Sequence, residues 1–253
     1  MSRRFSTFFV LAGLLAWLAA TPALAGGSFA AAAGQARRCG VSGEVMNTLS
    51  ARVAQGSLDE AGAGSLLAPL LEACADRLPL APIEDKLAEG LAKNVPPERI
   101  AQVLARRVAD YRRGRELLAS GRGGESPENL VVLGEGLAMG VPEADFAAYL
   151  AAFGKLPEPT FLTGLAMVSY QGQAGFPPDL TLGVIRQGAE AGTLGDGYRY
   201  LVRIILAARR RGLADAAVAD AARAALRDGK PVTDVVTRLG FTGRSLSGLP
   251  DGQ

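Results

Sequence analysis

Apolar residues recur along this chain at intervals of three and four, in short runs broken at regular distances. Ile100, Val103, Leu104, Val108 and Tyr111 fall on one face of a helix. So do Phe146, Tyr149, Leu150 and Phe153, and so do Tyr198, Leu201, Val202, Ile205 and Leu206. The pattern predicts helices near 43–55, 64–78, 82–93, 97–118, 127–139, 142–153, 159–172, 177–190, 197–211, 214–228 and 231–239. Strand-like alternation is scarce, whereas Ala, Leu, Arg and Glu are plentiful, so the fold reads as all-α with no sheet. Small residues crowd several helices (Ala147, Ala148, Ala151 and Ala152; Ala216 to Ala225) and let helix axes approach closely. Pro69 predicts a kink or a later helix start. Ser126-Pro127-Glu128 and Asp196-Gly197-Tyr198 read as N-terminal caps.

The breaks between helices carry a repeated signature: Asn94-Val95-Pro96, Gly140-Val141-Pro142 and Gly175-Phe176-Pro177. Asn or Gly tolerates the left-handed conformation just past a helix end. The apolar residue after it packs back on the last turn, and proline suits the first turn of the next helix. Acidic residues follow (Glu98; Glu143 and Asp145; Asp179), where the helix dipole favours them. Weaker copies stand at Gly56, Gly212 and Gly229. The six stops are spaced by 38, 46, 35, 37 and 17 residues, which predicts a unit of about 37 residues holding two helices. The long interval contains Ser120–Ser126, read as a flexible insertion. The expected architecture is antiparallel helical hairpins, about ten helices in all, stacked as an irregular α-solenoid or a compact bundle. Over residues 43–239 this is similar in architecture to tetratricopeptide-like arrays, although their aromatic and alanine signature is absent. The likeness implies a partner-binding surface.

The two ends read differently. Arg3 and Arg4, an apolar run over Phe8–Ala20, and Ala23-Leu24-Ala25 predict a signal peptide over 1–25, cleaved after Ala25. An uncleaved anchor is the alternative, but the run is short for a span. The general secretory route fits better than a twin-arginine signal, since Phe5-Ser6-Thr7 match the latter poorly. Residues 26–42 read as a flexible leader, 43–239 as one helical domain, and 240–253 as a disordered tail. No later apolar run is long enough for a transmembrane helix. Two of the 27 basic residues lie in the signal, which leaves 25 against 25 acidic ones. A neutral exported chain is a poor nucleic-acid binder. Cys39 and Cys74 are the only cysteines, and in an oxidising compartment they predict a disulfide. They lack the Cys-x-x-Cys spacing of a redox pair.

Candidate chemistry is thin. There is no histidine, which removes imidazole catalysis and the usual zinc, copper and haem ligands. No calcium loop appears. Gly192–Gly197 is glycine-rich but follows no strand, so it reads as a helix connection, not a phosphate loop. Without tryptophan beyond Trp17, sugar stacking is disfavoured. Glu89 and Glu135 stand at matching places in two units and read as packing or salt-bridge residues. Glu84 with Asp85 and Glu143 with Asp145 are explained by the dipole of their first turns. Arg209-Arg210-Arg211 suits the last turn of its helix.

Two groups remain as candidate partner contacts. Arg99, Arg106 and Arg113 recur every seven residues, roughly opposite the apolar face, where a plain solvated face is the competing explanation. Tyr198, Arg199 and Tyr200 follow a glycine-rich turn, with one tyrosine expected in the core. The sequence therefore points to an exported interaction or scaffold protein of the cell envelope, periplasmic or secreted. No catalytic, cofactor or metal residue is assigned, and the partner expected is another envelope protein. The rival readings are a carboxylate-dependent hydrolase, which needs two acids converging on a cleft from different helices, and a helical carrier of lipid or small apolar ligands.

Overall fold

A computed structural model describes residues 29–123 and 126–241. The predicted signal, Gly124 and Glu125 of the expected insertion, and the tail from 242 lie outside these. The described residues form twelve α-helices and no strand: α1 (Phe29–Arg38), α2 (Gly43–Ala54), α3 (Glu60–Ala75), α4 (Ala81–Ala92), α5 (Pro97–Arg122), α6 (Pro127–Ala138), α7 (Glu143–Phe153), α8 (Glu158–Gln173), α9 (Pro178–Ala191), α10 (Leu201–Arg210), α11 (Asp215–Arg227) and α12 (Val232–Arg238). A 3₁₀ turn over Asp196–Tyr200 leads into α10.

The extensive packing pairs join helices that are adjacent in the chain or separated by one helix. α1 lies on α3, α3 on α5, α5 on α6 and α6 on α8; further along, α9 lies on α11 and α11 on α12. The result is a sequential stack, with one apolar cluster running through it from Ala33 to Phe241.

One joint builds almost every corner. Ten helix ends carry the paired Schellman bonds, as where Val141 N–H reaches the Gly136 carbonyl at 3.0 Å and Gly140 N–H the Leu137 carbonyl at 2.9 Å. Asn94, Gly140 and Gly175 have φ of 51°, 87° and 65°, the left-handed conformation that the sequence predicts. Val141 and Phe176 are buried and Val95 is half-buried. Pro96, Pro142 and Pro177 occupy the cap position itself, one residue before the predicted first turn.

At two of the joints the residue four before the left-handed one is a glycine with no room for a side chain. A Cβ on Gly136 would stand 2.5 Å from Phe146 Cζ and 2.7 Å from Ser169 Oγ; one on Gly90 would stand 2.9 Å from Ile100 Cγ1. The first apolar residue of the next helix thus packs on the bare backbone of the one before.

Several expectations need correction. Residues 29–38, read as leader, form α1, which buries Ala33 and Ala36 against α3. The Cys39–Cys74 disulfide, with Cα atoms 5.8 Å apart, ties that helix to the end of α3. α3 starts at Glu60, behind an Asp59 cap bonded to Gly62 N–H at 2.8 Å, and runs through Pro69 unbroken. Ser120–Arg122 are the last turn of α5, so the long interval is a long helix; Gly121 is pressed against Leu150. Gly195, not Asp196, caps the 3₁₀ turn, and Asp196 pairs with Arg199. Phe241 is still packed in the core.

Arginines brace some of these corners from a neighbouring helix. Arg209 pairs with Asp215 (Nη2–Oδ2 2.7 Å) and donates to the carbonyls of Ala174 and Gly175 at 2.5 and 3.0 Å. Arg52 donates to the Leu91 carbonyl at 2.7 Å. Each adds a side-chain donor to the carbonyls of a neighbouring helix end.

Candidate docking groove

The long helix α5 bears the first candidate group. At about 100° per residue, Arg99, Val103, Arg106 and Asp110 share one sector of it. Ile100, Leu104, Val108 and Tyr111 are buried as predicted, but Val103 is 42% exposed. The buried face is narrower than the apolar pattern suggests because α4 and α6 do not pack extensively on each other over α5. By contrast α9 and α11 do so across α10.

The gap is a groove. A hollow of about 200 Å³ is lined by Lys86, Glu89, Gly90 and Lys93 of α4, by Val95, and by Arg99, Ile100, Val103 and Leu104 of α5. A second, of about 280 Å³, is lined by Lys86, Val103, Arg106, Arg107, Asp110, Ala138 and Met139. Lys86 and Val103 belong to both, so the two adjoin. Met139, at the α6 end of the groove, is 60% exposed.

The groove is polar at its edges in an ordered way. Glu89 accepts from Lys86 at 2.6 Å and Lys93 at 2.5 Å, and these bonds hold its carboxyl down to about 2. Buried Arg107 pairs with Glu135, and the Tyr111 hydroxyl donates to the same carboxylate oxygen at 2.7 Å. Burial, with the neighbouring Glu135 charge, pushes the Tyr111 phenol far above its usual range. Burial also raises the Asp110 carboxyl; the Arg107 charge opposes the rise and the Glu135 charge adds to it. Glu89 and Glu135, matched in sequence, are thus both ion-paired. Arg99 and Arg106 are exposed and make no ion pair with any described residue.

Arg113, the third arginine of the predicted stripe, is spent within the molecule. Its Nε bonds Glu143 Oε2 at 2.7 Å, and its Nη1 pairs with Glu116 at 2.6 Å. The second group is also divided. Tyr198 is buried, donates to the Lys230 carbonyl at 2.8 Å, and has its phenol pushed up to about 12 by burial. Tyr200 is 47% exposed, with the Arg199 and Arg203 guanidiniums 5.6 and 5.3 Å from its ring centre. These residues line neither hollow of the groove. Lys86, Arg107, Asp110 and Met139 are among the groove residues that the sequence does not single out, and Val103 is one that it places on the apolar face.

Elsewhere the cavities are less suited to a ligand. The hollow beside Asp145, between α7, α8 and α9, admits about 10 Å³, room for a single water. The polar hollow by Arg122 is crossed by that side chain's bonds to the carbonyls of Gly154 and Leu156. Among the described residues no group of three or more Cys, Asp or Glu converges as a metal site would need, and no helix is long and apolar enough to cross a membrane.

The class defined so far is an all-α helical stack with an open, cation-edged groove. Comparison of the chain with protein-family models, curated proteins and solved structures finds no match.

Proposed function

We propose that this chain is an exported interaction module of the cell envelope and that the α4–α5–α6 groove is its docking surface. The observation that carries the reading is the groove itself. It joins exposed Val103 and Met139 to two arginines that make no ion pair with any described residue. Exposed apolar area marks interaction sites, and arginine is enriched where binding energy concentrates. Export is supported by the N-terminal sequence pattern and by the Cys39–Cys74 bond, which persists in an oxidising compartment. Chemical crosslinking in cells, followed by size analysis, tests the proposal. A discrete larger species is expected, and a chain that stays uncrosslinked under every condition contradicts it.

One observation favours a second reading. Asp110 lines the groove, and Glu135, on a different helix, lies near enough for its charge to raise the Asp110 carboxyl; a carboxylate-dependent hydrolase requires two such acids. Glu135, however, is already committed to Arg107 and Tyr111. Hydrolysis of envelope polymers that disappears in Asp110→Asn would favour the enzyme.

A further inference from the structure

The groove also states the chemistry of what fills it, provided that it is a docking surface. Its floor is α5, and its walls are α4 on one side and the end of α6 on the other. Along the floor the free groups alternate: Arg99, then Val103, then Arg106. Seven helical residues separate the two guanidinium-bearing positions by about 10.5 Å along the axis, with the exposed valine between them. The carboxylates on the walls add no free negative charge opposite these arginines. Glu89 is held between Lys86 and Lys93, and Glu135 is bound to Arg107. Asp110 does not reverse the balance, because Lys86, Lys93, Arg99, Arg106 and Arg107 line the two hollows against Glu89 and Asp110. The unbalanced charge of the groove is therefore positive, and it brackets an apolar contact.

We infer that the occupant is an acidic amphipathic helix of a partner protein. It carries two carboxylates seven residues apart and an apolar residue between them. A helix matches on three counts. Its own seven-residue repeat reproduces the spacing of Arg99 and Arg106. An apolar residue three or four positions from each acid lies on the same face and meets Val103. A third helix laid over α5 occupies the gap that α4 and α6 leave open, the helix-in-groove mode of recognition. Each arginine–carboxylate contact is charge-assisted, which makes recognition salt-sensitive and specific for acid over its neutral isostere.

The test uses the purified full chain and labelled alanine-based helical peptides, read by fluorescence anisotropy at low salt. The first peptide carries Glu at two positions seven apart, with Leu four residues after the first. The second replaces both Glu by Gln, the third replaces both by Lys, and the fourth sets the two Glu five apart. Saturable binding of the first is expected, weakened about tenfold or more in the other three. Arg106→Glu and Val103→Asp should each lose about tenfold in affinity for the first peptide. The double variant Arg99→Glu/Arg106→Glu should prefer the Lys peptide. These positions are exposed, and thermal melts superimposable on the parent's establish that each variant is folded. Equal binding of the Glu and Lys peptides, or no binding of any, overturns the inference. So does arginine-dependent binding of anionic phospholipid vesicles in place of the peptide. If the peptides fail while a partner still crosslinks at the groove in cells, the acidic-helix assignment falls and the docking reading stands. If both fail, both fall.

Discussion

Replacing Gly136 by alanine should destabilise the protein, although it removes a glycine from a helix. In an unobstructed helix that exchange gains about 0.5–1 kcal/mol, because glycine loses the most backbone entropy on folding. At Gly136 the new methyl would stand 2.5 Å from Phe146 Cζ and 2.7 Å from Ser169 Oγ. Phe146 is fully buried and has no free volume to retreat into. Overpacking of this kind costs about 1–3 kcal/mol, so a net loss of about 1–2 kcal/mol is expected. For a chain of this size the melting temperature should fall by roughly 2–8 °C. Gly64, inside α3, is the internal control: a Cβ there meets nothing within 4 Å, so Gly64→Ala should raise the melting temperature by roughly 1–4 °C. The assay is a thermal melt followed by circular dichroism, with a urea titration for the free energy. Combining Gly136→Ala with Phe146→Leu should cost less than the sum of the two single changes, since the ring is the atom group in the way. If Gly136→Ala stabilised the protein as much as Gly64→Ala, the close approach of α6 and α7 at the joint would be wrong.

Three further outcomes are expected. Gly140→Val places a β-branched residue at φ 87°, which should cost about 1–2 kcal/mol in urea unfolding; no loss would refute the left-handed joint. Reducing the Cys39–Cys74 bond, or the double change to serine, should cost about 4 kcal/mol for a loop closed over 35 residues, and should release α1 to proteolysis before the rest. Asp110 holds its proton more tightly folded than unfolded, so its contribution to stability declines as pH rises through its ordinary value of 3.8 and on to the higher folded one. Asp110→Asn should therefore be more stable than the parent at pH 7, with the difference closing by about pH 3; a difference independent of pH would contradict the burial argument.

The fold was legible where local chemistry decides it. Stop residues at 56, 94, 140, 175, 212 and 229 are all left-handed, because Gly, and to a lesser degree Asn, takes that conformation at little cost just past a helix end. The joint at Arg77 was invisible: it takes φ 55° with an ordinary side chain, held by the Leu78 N–H bond to the Ala73 carbonyl at 2.8 Å. α1 was missed because Phe29–Arg38 is mostly alanine and small polar residues, and its order depends on packing against α3 and on the disulfide. The groove was half legible. The Arg99–Arg106 spacing marked its floor, but Val103 read as core, since its neighbours at Ile100 and Leu104 are. Its exposure follows from the separation of α4 and α6, a tertiary fact that no pattern on α5 encodes. Leu206 on α10 is likewise exposed within an apolar run.

The docking claim is tested most directly by site-specific photo-crosslinking in living cells. A photoreactive residue at position 103, in the floor of the groove, is compared with one at Asp220, exposed on α11. The account predicts one discrete crosslinked partner from position 103, lost when Arg99 and Arg106 are both changed to glutamate, and none from position 220. The same products from both positions, or a product at 103 that survives the charge reversal, would contradict it.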